Sequence, residues 1–316
     1  MNIAVVGTGI IGVRHLQAIE QSKDFTLCAV CDINVAAAES CAQKYGVPCF
    51  SDYKDIPFKT NAEAVILNLP HWLHCEATVF FLEHGIHVLV EKPMANTKSE
   101  CERMICASAR SGKKLAVGHV QRFFQANRYV KKVVQEKSLG DLCMISEIRT
   151  IDYFAPNRPK WFLDKSLSGG GIVMNYGAHA LDKVFYITDS RPVSIFATGG
   201  NIANDATIEG HSQFIMKLDN GTSVSVSFCG YYNSGYETVY YFTGGTLKVV
   251  NGVKLFSRTN DGWDEIPFSQ PDNQLLLQLN EFHNMIVGES NEIATADYSA
   301  DIIAAIEKIY VQSERD

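Results

Sequence analysis

The glycine-rich turn near the amino end constrains this chain more than any other feature. An apolar run of strand length, Ile3–Val6, leads into the sequence GTGIIG at residues 7–12, and a helical pattern leaves it. Gly7 permits a tight turn, Gly9 has no Cβ to keep an anion from the backbone, and Gly12 lets the helix pack close to the strand. Free N–H groups of the first helical turn and the helix dipole attract phosphate, so the pattern predicts a dinucleotide site.

An acidic residue at the end of the next strand strengthens this interpretation. Residues 25–31 form a second apolar run, and Asp32 follows it. An acid in this place accepts hydrogen bonds from the adenosine ribose. The alternative, in which the glycines serve packing alone, does not account for this acid. A carboxylate also repels a 2′-phosphate, and Ile33-Asn34 supplies no cation to hold one, so NAD is favoured over NADP.

Composition limits the class of protein. A length of 316 residues predicts about two domains. The formal net charge is −7, with acids and bases interspersed, so we expect no nucleic-acid partner. No apolar run approaches the roughly 18 residues of a membrane span. Because the chain enters the nucleotide motif at once, we expect no signal peptide, no membrane partner and a cytoplasmic location.

The nine cysteines predict free thiols in a reducing compartment. Cys28 and Cys31 have a redox-like spacing, but they lie along a predicted strand, where residues three apart point to opposite faces. We therefore expect neither a redox pair nor a metal site.

Hydrophobic periodicity divides the chain near residue 120. Before that point short apolar runs alternate with helical stretches, which is typical of a doubly wound parallel sheet. After it, strand-length pieces joined by turns predict a largely antiparallel sheet with helices on one side. We therefore predict an α/β Rossmann domain over residues 1–120 and an α+β domain, for substrate binding and oligomerisation, over residues 121–316. The predicted helices span residues 10–21, 35–45, 71–84, 96–111, 126–136, 172–186, 273–287 and 295–313, and the predicted strands of the second domain span residues 142–153, 193–199, 210–218, 222–228, 237–243 and 245–250.

Three segments follow the carboxyl ends of predicted parallel strands, where ligands bind in open sheets. They are the glycine turn, residues 68–71 and residues 91–93. Lys92 is therefore a cation beside the predicted cofactor, and partial desolvation would suit it to acid–base chemistry. Pro93 fixes the backbone after it, with a cis bond as one way to do so. The alternative for Lys92 is a surface lysine at a strand end.

A second group of polar residues follows the glycines at positions 169–171, which can bring backbone close to a ligand. Asn175, His179 and Asp182 share one face if this segment is an α-helix. Histidine is the usual group for proton transfer near neutral pH, and Asn175 could orient it. The alternative is a core histidine satisfied by a neighbour.

These motifs together resemble the Gfo/Idh/MocA family, which includes glucose–fructose oxidoreductase and inositol dehydrogenase. The resemblance rests on the turn at residues 7–12, on Glu91-Lys92-Pro93, on Arg122-Phe123 after His119, and on the run from three glycines to Asn175, His179 and Asp182. It covers residues 1 to about 185 by motif. It implies a Rossmann domain, a second domain with an open-faced sheet, and a catalytic site between them.

The resemblance also implies roles for single residues. Lys92 and His179 would line the substrate site, His179 taking the hydroxyl proton and Lys92 hydrogen-bonding the same oxygen. Many members have Asp where this chain has Asn175. The asparagine lacks the carboxylate that could relay protons in those members. His74 matches the histidine that ends a Thr-Pro-Asn-x-x-His segment, in which His71 replaces Asn. Trp161 resembles an aromatic residue near the nicotinamide end.

We therefore predict an NAD-dependent dehydrogenase or reductase acting on a sugar, sugar derivative or inositol, and a homodimer or homotetramer. An NAD-dependent glycosidase that uses transient redox chemistry and a non-catalytic dinucleotide-binding regulator are the alternatives. The predicted catalytic residues are Lys92, His179 and Asn175. The predicted cofactor-binding residues are Gly7, Thr8, Gly9, Ile10, Ile11, Gly12, Asp32, Asn68, Leu69, Pro70, His71, His74, Glu91, Lys92 and Trp161.

Overall fold

A computed structural model describes residues 1–202, 206–268 and 273–313. The chain divides into two compact units. The first comprises Met1–Val120 and Asn273–Ile303, and the second comprises the described parts of Gln121–Asp272 and Ala304–Asp316. The segment 273–303 thus belongs to the first unit, although the sequence analysis places it in the second domain.

Strands and helices are numbered here in chain order. The strands are β1 Asn2–Val6, β2 Thr26–Cys31, β3 Cys49–Phe50, β4 Ala64–Leu67, β5 His87–Glu91, β6 Leu115–Gly118, β7 Leu142–Thr150, β8 Pro192–Gly200, β9 His211–Leu218, β10 Ser223–Cys229, β11 Gly235–Phe242, β12 Gly245–Val250, β13 Lys254–Arg258, β14 Trp263–Ile266 and β15 Ala294–Thr295. The helices are α1 Ile10–Gln21, α2 Val35–Tyr45, α3 Ile56–Lys59, α4 His74–Glu83, α5 Lys98–Ser111, α6 Gln125–Glu136, α7 Lys165–Ser168, α8 Ala178–Thr188, α9 Gln274–Val287 and α10 Ala296–Ser313. Short 3-10 segments lie at 53–55, 71–73, 120–123 and 160–163, and a π-helical turn spans Val173–Gly177.

The first unit is built on a seven-stranded sheet in the order β15-β6-β5-β4-β1-β2-β3. Its first six strands in the chain pair in parallel, and β15 pairs antiparallel with β6 at the edge. Parallel strands are covered on both faces, which is why β1, β4 and β5 read as continuous apolar runs. This is the predicted Rossmann architecture.

The segment Asn273–Ile303 belongs to this unit because its apolar side chains complete the hydrophobic core. Leu279, Phe282 and Ile293 lie in the same buried cluster as residues of β1, β2 and β4. The Phe282 ring is stacked 6.0 Å from the ring of Phe25, which precedes β2. Burial of such side chains contributes about 1.5–3 kcal/mol each.

The second unit contains an eight-stranded sheet in the order β14-β13-β12-β11-β7-β10-β9-β8. Every neighbouring pair is antiparallel except β7 and β10, which are parallel. Strand β10 alternates between the two faces of the sheet, since Val224, Val226 and Phe228 are buried and the residues between them are not. Ser225 lies on the opposite face, in a cross-strand row with Ile215 and Phe196 that leaves both apolar side chains more than half exposed.

All nine cysteines are free thiols in this structure. Burial raises the pKa of Cys28 to about 11 and that of Cys31 to about 12, so neither forms a thiolate near neutral pH. Within the described ranges, no helix combines the length and the apolarity that a membrane crossing requires.

Candidate active site

The glycine turn joins β1 to α1 with the predicted division of roles. Gly7 has φ +87°, and a Cβ there would lie 2.3 Å from the carbonyl oxygen of Asn68. A Cβ on Gly12 would lie 1.9 Å from the carbonyl oxygen of Gly7, whereas a Cβ on Gly9 would meet nothing within 4 Å. Gly9 is also the residue before α1 and gives that helix no side-chain cap. The open space and the uncapped N–H groups fit the pyrophosphate of a dinucleotide.

Asp32 follows β2 and is tied to this turn. One carboxylate oxygen accepts hydrogen bonds from the Thr8 backbone N–H at 2.7 Å and from the Thr8 hydroxyl at 3.0 Å, and the other accepts from Asn34 N–H at 2.9 Å. The neighbouring residue Ile33 is 90% exposed, and Ile10, which follows the glycine turn, is 86% exposed. Asp32 therefore fixes the turn, and its remaining lone pairs are the acceptors available to a ribose.

The segment after β4 supports the turn from the other side. The Asn68 side-chain amide donates to the carbonyl oxygens of Gly7 at 3.3 Å and Val6 at 3.4 Å. His74 is fully buried, and its two ring nitrogens face the carbonyl oxygens of Leu69 at 2.7 Å and Pro93 at 2.8 Å. Burial lowers the pKa of His74, and these two carbonyls oppose that shift. His74 thus joins the segment at residues 68–71 to the segment at residues 91–93. Its contact with the cofactor stays a prediction.

The third segment places a largely buried carboxylate, 15% exposed, beside Lys92. Glu91 ends β5, one of its oxygens faces His15 Nε2 at 2.9 Å, and the other accepts from the Lys92 N–H at 3.2 Å. Burial raises the pKa of Glu91, but the His15 hydrogen bond and the charge of Lys92 outweigh it, so that pKa lies below its ordinary value. Glu91 is therefore ionised and stabilises positive charge on the lysine. The Lys92–Pro93 peptide bond is cis, as the sequence allowed.

The predicted helix around His179 begins with a π-helical turn, Val173–Gly177, before α8. Asn175 lies in that turn and His179 in the first turn of α8, and both are less than a tenth exposed. An extra residue per turn breaks the assumed α-helical spacing, so the three polar residues do not form one regular face. Asp182 is fully buried and pairs with Arg122 at 2.5 Å, which gives it a structural contact within the second unit.

Sequence reasoning missed the residues that hold this helix by its amino end. The Glu209 carboxylate accepts hydrogen bonds from the N–H groups of Gly171 and Val173, both at 2.9 Å, and its carbonyl accepts from Ile172 N–H at 3.2 Å. The Tyr310 hydroxyl donates to the same carboxylate at 2.9 Å and accepts from the next N–H, at 3.1 Å. Four successive N–H groups that no helix satisfies internally are therefore capped from elsewhere in the chain.

The glycines of this run serve that cap. A Cβ on Gly171 would lie 2.1 Å from the Glu209 carbonyl oxygen, and a Cβ on Gly170 would lie 1.9 Å from the Tyr310 hydroxyl. The sequence analysis expected them to approach a ligand. Gly170 and Gly171 allow Tyr310 and Glu209 to approach the backbone, and the approach to a ligand stays a prediction. The run of three glycines was the one signal that a close contact existed.

We predict that Tyr310→Phe destabilises the protein by about 1–3 kcal/mol, because it leaves the Met174 N–H buried without its acceptor. Turnover should fall severalfold with NAD affinity unchanged, since the segment that carries Asn175 and His179 loses its anchor. Thermal unfolding and steady-state kinetics measure the two effects. Tyr232→Phe is the matched control, because that side chain is 74% exposed in the same unit. Equal behaviour of the two variants would contradict the anchoring role.

An ion cluster fastens α8 to the sheet. Lys183 Nζ contacts the Glu147 carboxylate and donates to the Thr238 hydroxyl at 2.8 Å, and all three residues are at most 1% exposed. Arg149 Nε lies 3.6 Å from the same carboxylate. Burial raises the pKa of Glu147, but the charges of Lys183 and Arg149 outweigh it, so that pKa lies below its ordinary value. The helix that carries His179 is thus bound to β7 and β11 through a charged group.

A glycine turn between β1 and α1, an acid after β2 and a parallel sheet define the first unit as an NAD-binding Rossmann domain. The sequence model described as "Oxidoreductase family, NAD-binding Rossmann fold" matches residues 1–119, and the "GFO/IDH/MocA C-terminal domain" matches residues 127–249. The chain belongs to the Gfo/Idh/MocA oxidoreductase family, as the motifs indicated.

Curated relatives are similar over much of the chain. A 1-carboxy-3-chloro-3,4-dihydroxycyclohexa-1,5-diene dehydrogenase of Comamonas testosteroni is 29% identical over 237 residues, which is 74% of this chain and 59% of that protein. A D-glucoside 3-dehydrogenase of Escherichia coli (strain K12) is 29% identical over 264 residues, or 82% of this chain and 70% of that protein. The chain thus spans little more than half the length of the first relative.

A solved structure shows the same fold. The aldose-aldose oxidoreductase from Caulobacter crescentus, complexed with glycerol, superposes with a TM-score of 0.91 over 100% of this chain and 98% of that chain, at 22% identity. At this identity the likeness defines the architecture of both units and not the substrate.

Proposed function

We propose that this protein is an NAD-dependent dehydrogenase or reductase acting on a hydroxyl-bearing carbon of a sugar, sugar derivative or inositol. The observation that supports the proposal most is that Lys92 directly follows β5, at the ligand-binding ends of the parallel strands in the first unit, and that His179 lies in the first turn of α8 in the second unit. The names of the relatives support the substrate class, since both describe dehydrogenases of hydroxylated rings.

The proposed roles follow from the chemistry of the two side chains. Bound NAD supplies the acceptor for the two electrons and the hydrogen that leave the alcohol carbon. His179 takes the hydroxyl proton as a general base. Lys92 donates a hydrogen bond to the same oxygen and stabilises the negative charge that develops there. In reduction the proton moves in the opposite direction. Asn175 supplies an amide and cannot itself accept the proton.

A panel of sugars and polyols tests the proposal by the change in absorbance near 340 nm. We expect at least one member to reduce NAD, and the same assay separates the alternatives. Turnover of a glycoside with tightly held cofactor and no net NADH would indicate the redox-neutral glycosidase. Dinucleotide binding with no turnover of any member would indicate the regulator and contradict the proposal.

We propose NAD rather than NADP as the cofactor because of Asp32. Asp32→Ala should weaken NAD binding about tenfold or more, through lost hydrogen bonds to the ribose, and should relax the discrimination against NADP. Fluorescence titration with both cofactors measures this. Asp52→Ala is the matched control, since Asp52 accepts a backbone hydrogen bond at 2.9 Å from Lys54 in the same unit. An unchanged preference for NAD would count against the ribose role.

We further propose a cytoplasmic homodimer or homotetramer without nucleic-acid or membrane partners. The support for self-association is the exposed sheet face with Ser225, Ile215 and Phe196, since an apolar face of this kind is a usual site of protein contact. Light scattering measures the assembly, and a monomer at micromolar concentration would contradict it.

A further inference from the structure

Arg158 is a stacked arginine with no acidic partner among the described residues. Its guanidinium carbon lies 4.1 Å from the centre of the Tyr153 ring and 5.3 Å from that of Phe162. Its Nε is buried and makes no hydrogen bond within the described ranges. The side chain is only partly buried, so part of it is accessible to solvent. A stacked guanidinium is fixed in orientation and presents a planar fork of N–H donors.

A second arginine stacks on a tyrosine ring that itself contacts the Tyr153 ring. Arg149 is 5% exposed, and its guanidinium carbon lies 3.8 Å from the centre of the Tyr236 ring and 5.0 Å from that of Tyr176. Its one acidic neighbour among the described residues, Glu147, also pairs with Lys183. Two cations thus share one carboxylate, which leaves this part of the second unit with a surplus of positive charge.

Both arginines adjoin the segment that carries the proposed base. Tyr153 and Tyr176 are in ring contact with each other at 6.1 Å, and the Tyr176 ring lies 6.4 Å from that of His179. Burial raises the pKa of Tyr153 well above its usual value, while Arg158 and the Asn175 side chain oppose that shift. Asn175 therefore lies beside the tyrosine on which Arg158 stacks. The negative charge of Glu209 also raises the pKa of Tyr153. Both carboxylate oxygens of Glu209 already accept hydrogen bonds, from backbone N–H groups and from the Tyr310 hydroxyl.

We propose that the substrate is an acidic sugar or cyclitol, whose carboxylate Arg158 binds through two parallel hydrogen bonds. Arg149 adds to the positive potential at this site and does not contact the substrate. A planar guanidinium fork can bind either a carboxylate or a phosphate through two hydrogen bonds. Its single positive charge balances a carboxylate but not a phosphate dianion, which favours the carboxylate. This inference rests on the proposed dehydrogenase function and names its substrate class.

Matched neutral and acidic substrates test the inference. We would compare D-glucose with D-glucuronate and D-galactose with D-galacturonate, and use D-glucose 6-phosphate to represent a phosphate anion. The acid of each pair should have the higher kcat/KM for NADH formation. Arg158→Gln should lower kcat/KM for the acids by roughly 10- to 100-fold and leave that for the neutral sugars unchanged. Arg258→Gln is the matched control, since Arg258 also stacks on an aromatic ring, 5.4 Å from that of Trp263, at the β13–β14 edge of the sheet in the same unit.

A binding measurement separates failure of this inference from failure of the proposed function. Thermal unfolding with NAD present should show stabilisation by D-glucuronate and not by D-glucose, and Arg158→Gln should abolish the difference. If no sugar yields NADH but this difference appears, the acidic ligand stands and the redox function fails. Preference for the neutral sugar or the phosphate ester would overturn the carboxylate site and leave the dehydrogenase intact, as would an unaffected Arg158→Gln. The absence of both turnover and selective stabilisation by D-glucuronate would also overturn the carboxylate site.

Discussion

Replacing Lys92 or His179 with alanine is expected to lower turnover by roughly a hundredfold or more while NAD binding stays nearly intact. Each variant removes a group that we propose acts on the substrate oxygen: His179 as the general base and Lys92 as the hydrogen-bond donor. The proposed pyrophosphate site consists of Gly7, Gly9 and the start of α1, so we expect neither substitution to remove a phosphate contact. Steady-state kinetics with the best panel substrate and cofactor titration by fluorescence measure the two quantities separately.

Lysine and histidine substitutions outside the site provide the controls. Lys114 and His84 are exposed residues of the first unit, and Lys114→Ala and His84→Ala should retain the turnover of the native protein. A His179→Gln variant distinguishes proton transfer from hydrogen bonding, because the amide keeps a donor and an acceptor but is no base. Full activity of Lys92→Ala or of His179→Ala would refute the role assigned to that residue.

Replacing Glu147 with leucine is expected to destabilise the protein by about 3–5 kcal/mol. The substitution removes the carboxylate that Lys183 and Arg149 share and leaves two cations buried without it. The pKa of Glu147 lies below its ordinary value in the folded protein. Ionised Glu147 therefore contributes its full stabilisation of the fold when the pH is above that ordinary pKa. It is lost as the pH falls through the folded-state pKa. Urea unfolding of both proteins near neutral pH measures the difference.

A double substitution and a surface pair make this result specific. Glu147→Leu combined with Lys183→Met should recover much of the lost stability, since it removes one of the two uncompensated cations as well. Glu237 pairs with Lys248 at 3.4 Å on the same sheet but is 48% exposed. Glu237→Ala should therefore cost no more than about 1 kcal/mol. A Glu147→Leu variant as stable as Glu237→Ala would show that the cluster does not hold α8 to the sheet.

The elements that local chemistry determines were predictable from the sequence. α1 and α2 have the predicted bounds, and α2 begins after Asn34, whose side chain accepts from Ala37 N–H at 3.3 Å, and ends at Gly46 with φ 68°. The parallel strands were recognisable as uninterrupted apolar runs, and β10 was recognisable by its alternation. The glycine turn was predictable because the positive φ of Gly7 and the close approach of Gly12 to the Gly7 carbonyl arise within one β-α unit.

Features that depend on distant parts of the chain were not predictable in this way. Glu209 is 38 residues from Gly171, and Tyr310 is 136 residues from Met174, so no local pattern joins either to the helix it caps. The return of residues 273–303 to the first unit is likewise a matter of core packing. β13 and β14 are short and carry several polar residues, and they fell below the periodicity that identified the other strands.

Deuterium transfer tests the central claim most directly. The panel substrate that reduces NAD fastest would be prepared with deuterium on the carbon whose hydroxyl is oxidised, and the cofactor product would be examined by mass spectrometry. Transfer of the label from that carbon into NADH, at a rate that both Lys92→Ala and His179→Ala lower, is the result we predict. Product formation without labelled NADH, or labelled NADH formed equally fast by both variants, would contradict it.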